Sequence, residues 1–178
     1  SDVCSSRSGE YALQADILGP DFRVETFSLP PDDEGPVVAT LVRLEAARPT
    51  GRAVLHVHGF ADYFFHAEYA EWWTARGYEF YALDLRRYGR SWREGQMLGW
   101  CTSLAEYDED LGLALSAIRA DQGWETELVL SGHSTGGLVA SLWADRHPGA
   151  LRALVLNSAW RSLQGCEIVR TVGDSVLR

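Results

Sequence analysis

A short glycine-bounded turn constrains the fold of this chain more than any other feature of its sequence. Gly132, Ser134 and Gly136 follow the pattern G-x-S-x-G, directly after the apolar run 128–130 and directly before a segment with helical periodicity. So tight a turn forces Ser134 into a strained backbone conformation, and a side chain at either glycine would clash. The pattern predicts a strand, a sharp turn and a helix, with the Ser134 hydroxyl lifted above the sheet.

The surroundings of this turn suit a nucleophilic serine. The N-terminus of the following helix stabilises negative charge, and the Thr135 N–H is expected to point where an oxyanion would form. A second site lies upstream, where His58, Gly59 and Phe60 follow another apolar run. Gly59 lets the backbone approach a bound group, and the Phe60 N–H is the second expected oxyanion donor. The alternative is a glycine-rich turn with an incidental serine.

Strand and helix patterns alternate along most of the chain. The expected strands lie at 22–27, 37–44, 52–57, 78–83, 127–130 and 151–156, and the expected helices at 67–76, from Ser103 onward and at 134–147. Ser103 and Glu106 form a capping box. The first two strands are close enough to form a hairpin. The remainder is typical of a mostly parallel α/β sheet with helices on both faces.

The sequence divides into three expected parts. Residues 1–19 are weakly patterned and are expected to form an N-terminal arm. Residues 20–160 carry the α/β core, which is expected to stop after its sixth strand. Residues 161–178 are expected to begin a lid or a linker, because their apolar positions would suit an amphipathic cover.

Charge and composition exclude several classes of protein. The formal net charge is -9, from 16 basic and 25 acidic residues, which disfavours a nucleic-acid binder. One basic cluster, flanked by Asp84 and Glu94, is expected to be a solvated loop; it comprises Arg86, Arg87, Arg90 and Arg93. The three cysteines have neither disulfide nor metal spacing, so no metal site is expected. No apolar run reaches the length of a membrane span, and a cytoplasmic location is the default expectation.

Three segments together resemble a known family. They are the stretch 56–63 with the nearby helix residues Glu68 and Tyr69, the stretch 81–91 and the turn around Ser134, in the family's order and spacing. The chain resembles an α/β-hydrolase of the monoacylglycerol lipase and lysophospholipase type over residues 37–160. Its middle segment is similar to the family motif D-x-R-G-x-G-x-S, with Arg87 in place of the first glycine. The resemblance implies ester hydrolysis by a Ser-His-Asp triad without a metal or organic cofactor, on a lipid-like or small acyl ester.

The chain departs from this family where the triad should be completed. In this fold the acid and the histidine follow the serine, and the residues after Ser134 supply only one helix, one strand and a tail. The acid and the base are therefore not expected within this chain. None of its histidines is well placed as a substitute, and His133 is expected to point away from the site. Asn157 stands where some hydrolases place an acid, but its side chain cannot ionise.

Three explanations of the incomplete triad stay open. The chain is the N-terminal portion of a longer hydrolase, or another chain supplies the missing half, or the protein is a non-catalytic binding or scaffold protein. A thioesterase or a peptidase would use the same machinery. The last expected strand would leave an apolar edge, which missing strands or a second chain should cover. Trp92, Trp100 and Trp160 lie near the carboxyl ends of the strands, where they would line an acyl pocket or fill core.

Overall fold

The computed structural model describes the backbone of residues 14–160 and the side chains from Asp16 to Trp160. The expected lid or linker at 161–178 and most of the expected N-terminal arm lie outside the described residues. The strands are β1 (Gln14–Asp16), β2 (Gly19–Asp32), β3 (Gly35–Leu44), β4 (Arg52–Val57), β5 (Tyr78–Asp84), β6 (Glu127–His133) and β7 (Ala153–Asn157). The α-helices are α1 (Ala67–Thr74), α2 (Tyr107–Gln122) and α3 (Thr135–Arg146).

The strands form one sheet in the order β1-β2-β3-β5-β4-β6-β7. The pairs β1–β2, β2–β3 and β3–β5 are antiparallel, whereas β5–β4, β4–β6 and β6–β7 are parallel. The predicted hairpin and the predicted parallel sheet are both confirmed. Residues 14–160 form seven strands, one more than the six expected from the sequence, because the additional strand β1 is too short to show an alternating pattern.

Helices cover both faces of the sheet, as the sequence predicts. On one face α2 and α3 pack on alternate residues of the central strands, such as Leu55 and Leu83. On the other face α1 packs through Trp73 against Val54 and Phe80. Because successive strand side chains point to opposite faces, the apolar runs of β4 and β5 supply two cores at once.

The sequence also places the start and the buried face of α2 correctly. Ser103 and Glu106 form the predicted capping box, in a short 3₁₀ turn that runs into the helix. The predicted apolar positions Tyr107, Leu111 and Ile118 are buried in the core beneath it. The second helix therefore follows its 3.6-residue pattern closely.

The arginine cluster is not a solvated loop, and this expectation is corrected. Arg86 bonds the buried carboxylate of Asp110 at 2.8 Å, and Arg90 bonds the buried carboxylate of Asp84 at 2.8 Å. Within the cluster, only Arg93 is exposed. Asp110 lies 24 residues away from Arg86, so the local pattern could not reveal that ion pair. The cluster instead fastens the long connection between β5 and α2 to the body of the sheet.

Arg87 explains how this chain departs from its family's glycine pattern. Its backbone has φ +62°, in the left-handed region that favours glycine. Its side chain is 1% exposed and bonds Asp32, Glu34 at 3.0 Å and the carbonyl of Trp100 at 3.1 Å. These charge-assisted bonds tie the β2–β3 turn to the loop and offset the backbone strain.

The β7 end of the sheet carries an exposed apolar strand. Within residues 14–160, β7 pairs with β6 alone. The side chains of Leu154, Val155 and Leu156 are between 36% and 44% exposed, unlike those of any central strand. Among these same residues no helix is long and apolar enough to cross a membrane.

Replacement of Arg87 separates its side-chain contacts from its backbone strain. Arg87→Ala and Arg87→Gly both remove the bonds to Asp32 and Glu34, so both variants are expected to be less stable than the parent. Arg87→Gly should be the more stable of the two by about 1 kcal/mol, because glycine adopts a positive φ without the Cβ penalty. Urea unfolding of the two variants measures this difference. Equal midpoints would contradict the strained conformation at position 87.

Candidate functional site

Ser134 occupies the predicted sharp turn between β6 and α3. Its backbone has φ +52° and ψ −119°, the mirror image of the first central residue of a type II turn and a region dominated by glycine. The carbonyl of Asn157 accepts the Ser134 N–H at 3.0 Å, and the Trp160 N–H donates to the Ser134 carbonyl at 3.1 Å. Hydrogen bonds from the end of β7 and from the segment just after it therefore fix both the N–H and the carbonyl of Ser134, and the predicted strain is confirmed.

The two glycines of the turn are required by close backbone contacts. A Cβ on Gly132 would lie 2.6 Å from the Gly136 carbonyl oxygen. A Cβ on Gly136 would overlap the carbonyl oxygens of Val57 and His58 at the end of β4. The predicted clashes are therefore confirmed, and the second one presses the start of α3 against the loop after β4. Gly137 has a similar role that the sequence did not reveal, because a Cβ there would overlap the side chain of Ala159.

His58 fixes the loop that faces Ser134. Its ring is buried, its Nδ1 donates to the Gly59 carbonyl at 2.7 Å, and its Nε2 accepts the Leu85 N–H at 3.1 Å. Burial lowers the pKa of His58, although the charge of Asp84 opposes that effect, so the ring is neutral with its proton on Nδ1. This agrees with a structural function for His58 in the loop geometry.

The orientation of one peptide leaves the Phe60 N–H available. The Gly59 carbonyl points to His58, and in a trans peptide the following N–H points the opposite way. Gly59 itself lies close to the turn, since a Cβ there would be 3.2 Å from the Ser134 Cβ. Within residues 14–160, neither the Phe60 N–H nor the Thr135 N–H donates a hydrogen bond to the chain. The geometry is compatible with the predicted oxyanion donors, whose role stays a prediction.

All five histidines of the chain lie in the described residues, and none hydrogen-bonds Ser134. His56 contacts Ser131 Oγ at 3.3 Å, and His147 donates to the Trp143 carbonyl at 2.8 Å. His66 stacks on Phe65 at a ring distance of 4.0 Å. His58, His56 and His147 therefore have polar partners within residues 14–160, whereas the rings of His66 and His133 have none.

His133 does not point away from the site, and that expectation is corrected. Its Cδ2 would lie 3.3 Å from a Cβ on Gly59, and its ring borders a cavity at the carboxyl edge of the sheet. Its Nδ1 is buried and has no hydrogen-bond partner within residues 14–160. The His133 side chain therefore contacts the loop after β4, the same loop that faces Ser134.

A hydroxyl network behind the turn escaped the sequence analysis. The Tyr69 hydroxyl, from α1, lies 2.8 Å from Ser131 Oγ, which also contacts His56. Ser131 is 2% exposed and precedes the turn by one residue. The only signal in the sequence was that Tyr69 is one of the residues that resemble the family. Its partners in the network, Ser131 and His56, lie on two separate strands, β6 and β4.

Asp84 is a structural residue, in agreement with its position in the loop motif. Its side chain is fully buried, and its Oδ1 accepts the Phe64 N–H at 2.9 Å. Arg90 donates to Oδ2 from both its backbone and its guanidinium, and it also bonds Asp16 at 2.6 and 2.7 Å. Burial acts to raise the pKa of Asp16, but the hydrogen bonds and charge of Arg90, together with the backbone N–H groups of Leu18 and Ile17, outweigh it and hold that pKa below its usual value.

Two cavities border the loop after β4. The first, here named the apolar cavity, has a volume of about 360 Å³ and is lined mainly by Phe60, Tyr63, Tyr88, Trp92 and Leu98. The second, here named the polar cavity, has a volume of about 270 Å³ and is lined mainly by His56, His66, Tyr69, His133 and Asn157. Asp62 borders both. Within residues 14–160 no cluster of three or more His, Cys, Asp or Glu side chains could hold a metal ion.

Two glycine variants test the close approach at the turn. Gly136→Ala is expected to destabilise the protein by several kcal/mol, since the new Cβ overlaps backbone atoms that cannot move independently. Gly112→Ala is the matched control, because Gly112 lies in α2 with nothing within 4 Å of its Cβ position. Alanine there should be stabilising by up to about 1 kcal/mol. Thermal unfolding compares the two, and a Gly136→Ala variant as stable as the parent would refute the contact.

Acid should weaken the fold through His56. Its ring packs beside Phe64 and Tyr69, and burial, together with the neighbouring histidine charges, lowers its pKa to about 3. The unfolded chain takes up this proton below about pH 6.5, whereas the folded state does not until about pH 3, so stability falls as the pH drops through that window. His56 should contribute up to about 1.4 kcal/mol of lost stability per pH unit. Urea unfolding between pH 7 and pH 4 should give a shallower pH dependence for His56→Gln, and parallel curves would contradict the shift.

Solved structures with this architecture are known from distant organisms. A probable hydrolytic enzyme from Pseudomonas aeruginosa PAO1 is 18% identical, with a TM-score of 0.62 over 85% of this chain and 53% of its own. A carboxylesterase structure from the thaumarchaeon Nitrososphaera gargenis is also 18% identical, with a TM-score of 0.61 over 85% and 54%. The peroxisomal α/β-hydrolase Lpx1 from Saccharomyces cerevisiae is 17% identical, with a TM-score of 0.61 over 82% and 46%.

The chain therefore spans about half the length of these structures, and at this identity the likeness concerns the fold. No curated protein matches the chain. The sequence model of the family described as "Serine aminopeptidase, S33" matches residues 48–172, which include the loop after β4, the turn at Ser134 and all three α-helices. With its mostly parallel sheet and its strained turn, the chain belongs to this family of α/β-hydrolases.

Proposed function

We propose that the protein is a serine hydrolase that cleaves carboxylic esters through an acyl-enzyme on Ser134. The observation that carries the proposal is the strained Ser134 backbone at the start of α3, beside a Thr135 N–H that donates no hydrogen bond within residues 14–160. The Phe60 N–H, opposite this turn, supplies the second donor. Esterase and lipase names among the similar structures support the reaction class.

The chemistry begins at the Ser134 hydroxyl. Its oxygen attacks the ester carbonyl carbon while a base takes the proton, and the Phe60 and Thr135 N–H groups stabilise the oxyanion that forms. Collapse of this intermediate breaks the carbon–oxygen bond, and the base returns the proton to the leaving alcohol. Water then attacks the acyl-enzyme by the same route and releases the carboxylic acid.

The base and the acid of the proposed triad come from outside residues 14–160. Four of the histidines are engaged with groups other than Ser134, and His133 borders the polar cavity without bonding the Ser134 hydroxyl. In this fold both triad partners follow the serine in the chain. We therefore place them in further chain beyond β7 or in a second polypeptide.

The exposed strand β7 supports the same placement. A parallel strand with apolar side chains and an unpaired edge is normally covered, because it would otherwise pair with other chains. Further strands of the same protein, or a second chain, would cover Leu154 and Leu156. The same strands would bring the missing acid and histidine to the carboxyl edge beside Ser134.

A non-catalytic binding protein is the second candidate function. It is favoured by one observation, namely that within the described residues no base bonds Ser134. Such a protein would use the two cavities to hold a ligand without cleaving it. A thioesterase or a peptidase would share the catalytic arrangement and differ only in the bond that is cleaved.

Covalent labelling tests the proposal directly. The complete natural protein is treated with a fluorophosphonate, and intact-mass spectrometry is expected to show one adduct, since only an activated serine reacts with this probe. Ser134→Ala should abolish the adduct and reduce ester hydrolysis by about 10⁴-fold or more. Ser131→Ala, three residues before Ser134 in β6, is the matched control and should keep the adduct.

The outcomes separate the candidate functions. No adduct in a folded protein would overturn the hydrolase and favour the binding protein, whereas an adduct that persists in Ser134→Ala would overturn Ser134 as the nucleophile. With labelling established, panels of acyl esters, thioesters and aminoacyl amides distinguish the reaction classes by their relative kcat/KM values. A preference for amides would replace the esterase by a peptidase.

A further inference from the structure

We propose that the apolar cavity receives the acyl group of the ester, and that Trp92 and Leu98 set the length of chain it accepts. The inference rests on the proposed function at Ser134. It assigns a specificity role to the long loop between β5 and α2, which the triad chemistry does not use. The substrate class is therefore an ester with an apolar acyl group that fits a cavity of about 360 Å³.

The topology of the sheet decides which cavity receives which part of the ester. The apolar cavity is formed by the loops after β4 and β5, whereas the polar cavity extends to the ends of β6 and β7. The chain leaves the described region from the β7 side, where the Trp160 N–H bonds the Ser134 carbonyl. A base from further chain therefore approaches Ser134 from the side of the polar cavity.

The leaving alcohol has to lie on the side of the base. The base must return its proton to the alcohol oxygen, so that oxygen lies within hydrogen-bond reach of it. The acyl chain and the alcohol leave the carbonyl carbon in different directions. With the alcohol on the polar side, the acyl chain enters the apolar cavity past Phe60, whose N–H holds the oxyanion.

The side chains at the wall of the apolar cavity suit a hydrocarbon chain. Phe60, Tyr88 and Trp92 present rings, and Leu98 stands at the outer rim with 65% of its surface exposed. Each methylene buried on such surfaces favours binding by about fourfold. Asp62 is the only charged side chain on this wall, and it lies where the two cavities meet.

The wall is held rigidly enough to measure length. The Trp92 indole N–H donates to the Gln96 carbonyl at 2.9 Å, and the Gln96 side chain donates to the Pro36 carbonyl at 2.9 Å. Ser91 Oγ donates to the Asp84 carbonyl at 2.7 Å, and the Arg87 guanidinium donates to the Trp100 carbonyl at 3.1 Å. The loop is thus fixed at both ends, and a preformed wall discriminates chain length better than a mobile one.

The test compares acyl lengths at constant leaving group. The complete natural protein is assayed with p-nitrophenyl butanoate, octanoate and dodecanoate. Trp92→Ala should raise the ratio of kcat/KM for dodecanoate over butanoate by about tenfold, because it lengthens the cavity. Leu98→Trp should lower the ratio for octanoate over butanoate by about tenfold. Trp124→Ala is the matched control. This exposed indole lies just before the amino end of β6, whereas both cavities lie at the carboxyl ends of the strands.

A second substrate series separates acyl selection from alcohol selection. Acetate esters of butanol, octanol and dodecanol vary the leaving group alone, and Leu98→Trp should leave their kcat/KM ratios unchanged. A change in the alcohol series without one in the acyl series would overturn the assignment of the cavities. Unchanged ratios in both series would remove the role of Trp92 and Leu98.

Failure of the proposed function itself has a different signature. In that case neither ester series is cleaved by the parent protein, and no fluorophosphonate adduct forms on Ser134. If Trp92→Ala fails to fold, Leu98→Trp still decides the inference, because Leu98 lies at the exposed rim. Cleavage by the parent with a length profile that Leu98→Trp does not alter contradicts the inference alone.

Discussion

The candidate site depends first on the close backbone contact between the start of α3 and the end of β4. Gly136 lies against the carbonyl groups of Val57 and His58, where no Cβ could fit. This contact brings Ser134 and Gly59, from separate strand-to-loop connections, into van der Waals range. A nucleophile and an oxyanion donor have to be held this closely for the donor to act on the charge that develops. The site is therefore a consequence of backbone packing before any side-chain chemistry is considered.

Buried ion pairs hold the surrounding loops to that backbone frame. Asp84 accepts hydrogen bonds from Phe64 and Arg90, and Arg90 reaches on to Asp16 in β1. Burial of such charges is costly unless every group is satisfied, and here the donors and acceptors match. The Phe64 and Arg90 contacts fix the far end of the loop after β4, while His58 fixes its near end. The two cavities are shaped by this pair of anchors.

The sequence could predict what local sterics and periodicity determine. The glycines of the turn at Ser134, the capping box at Ser103 and the succession of strands and helices along the chain followed from short patterns, since each depends on neighbours a few residues away. The partners of Arg87 and Arg90 could not be predicted, because Asp32 and Asp16 lie 55 and 74 residues away in the chain. The polar cavity was not predicted for the same reason, whereas strand β1 was missed because three residues are too few to show an alternating pattern. The roles assigned to Phe60 and Thr135 remain predictions that the backbone geometry accommodates.

The strain at Ser134 bears on the choice between a hydrolase and a binding protein. A non-glycine residue in this region of φ and ψ costs about 1–3 kcal/mol, and glycine at the same position would remove the cost. Arg87 has a comparable positive φ, and there the cost is offset by bonds to Asp32 and Glu34. The Ser134 side chain makes no such bond within residues 14–160. The Ser134 side chain therefore costs backbone strain without giving a structural contact in return. This favours a catalytic use of its hydroxyl, which a hydrolase has and a passive binding site does not.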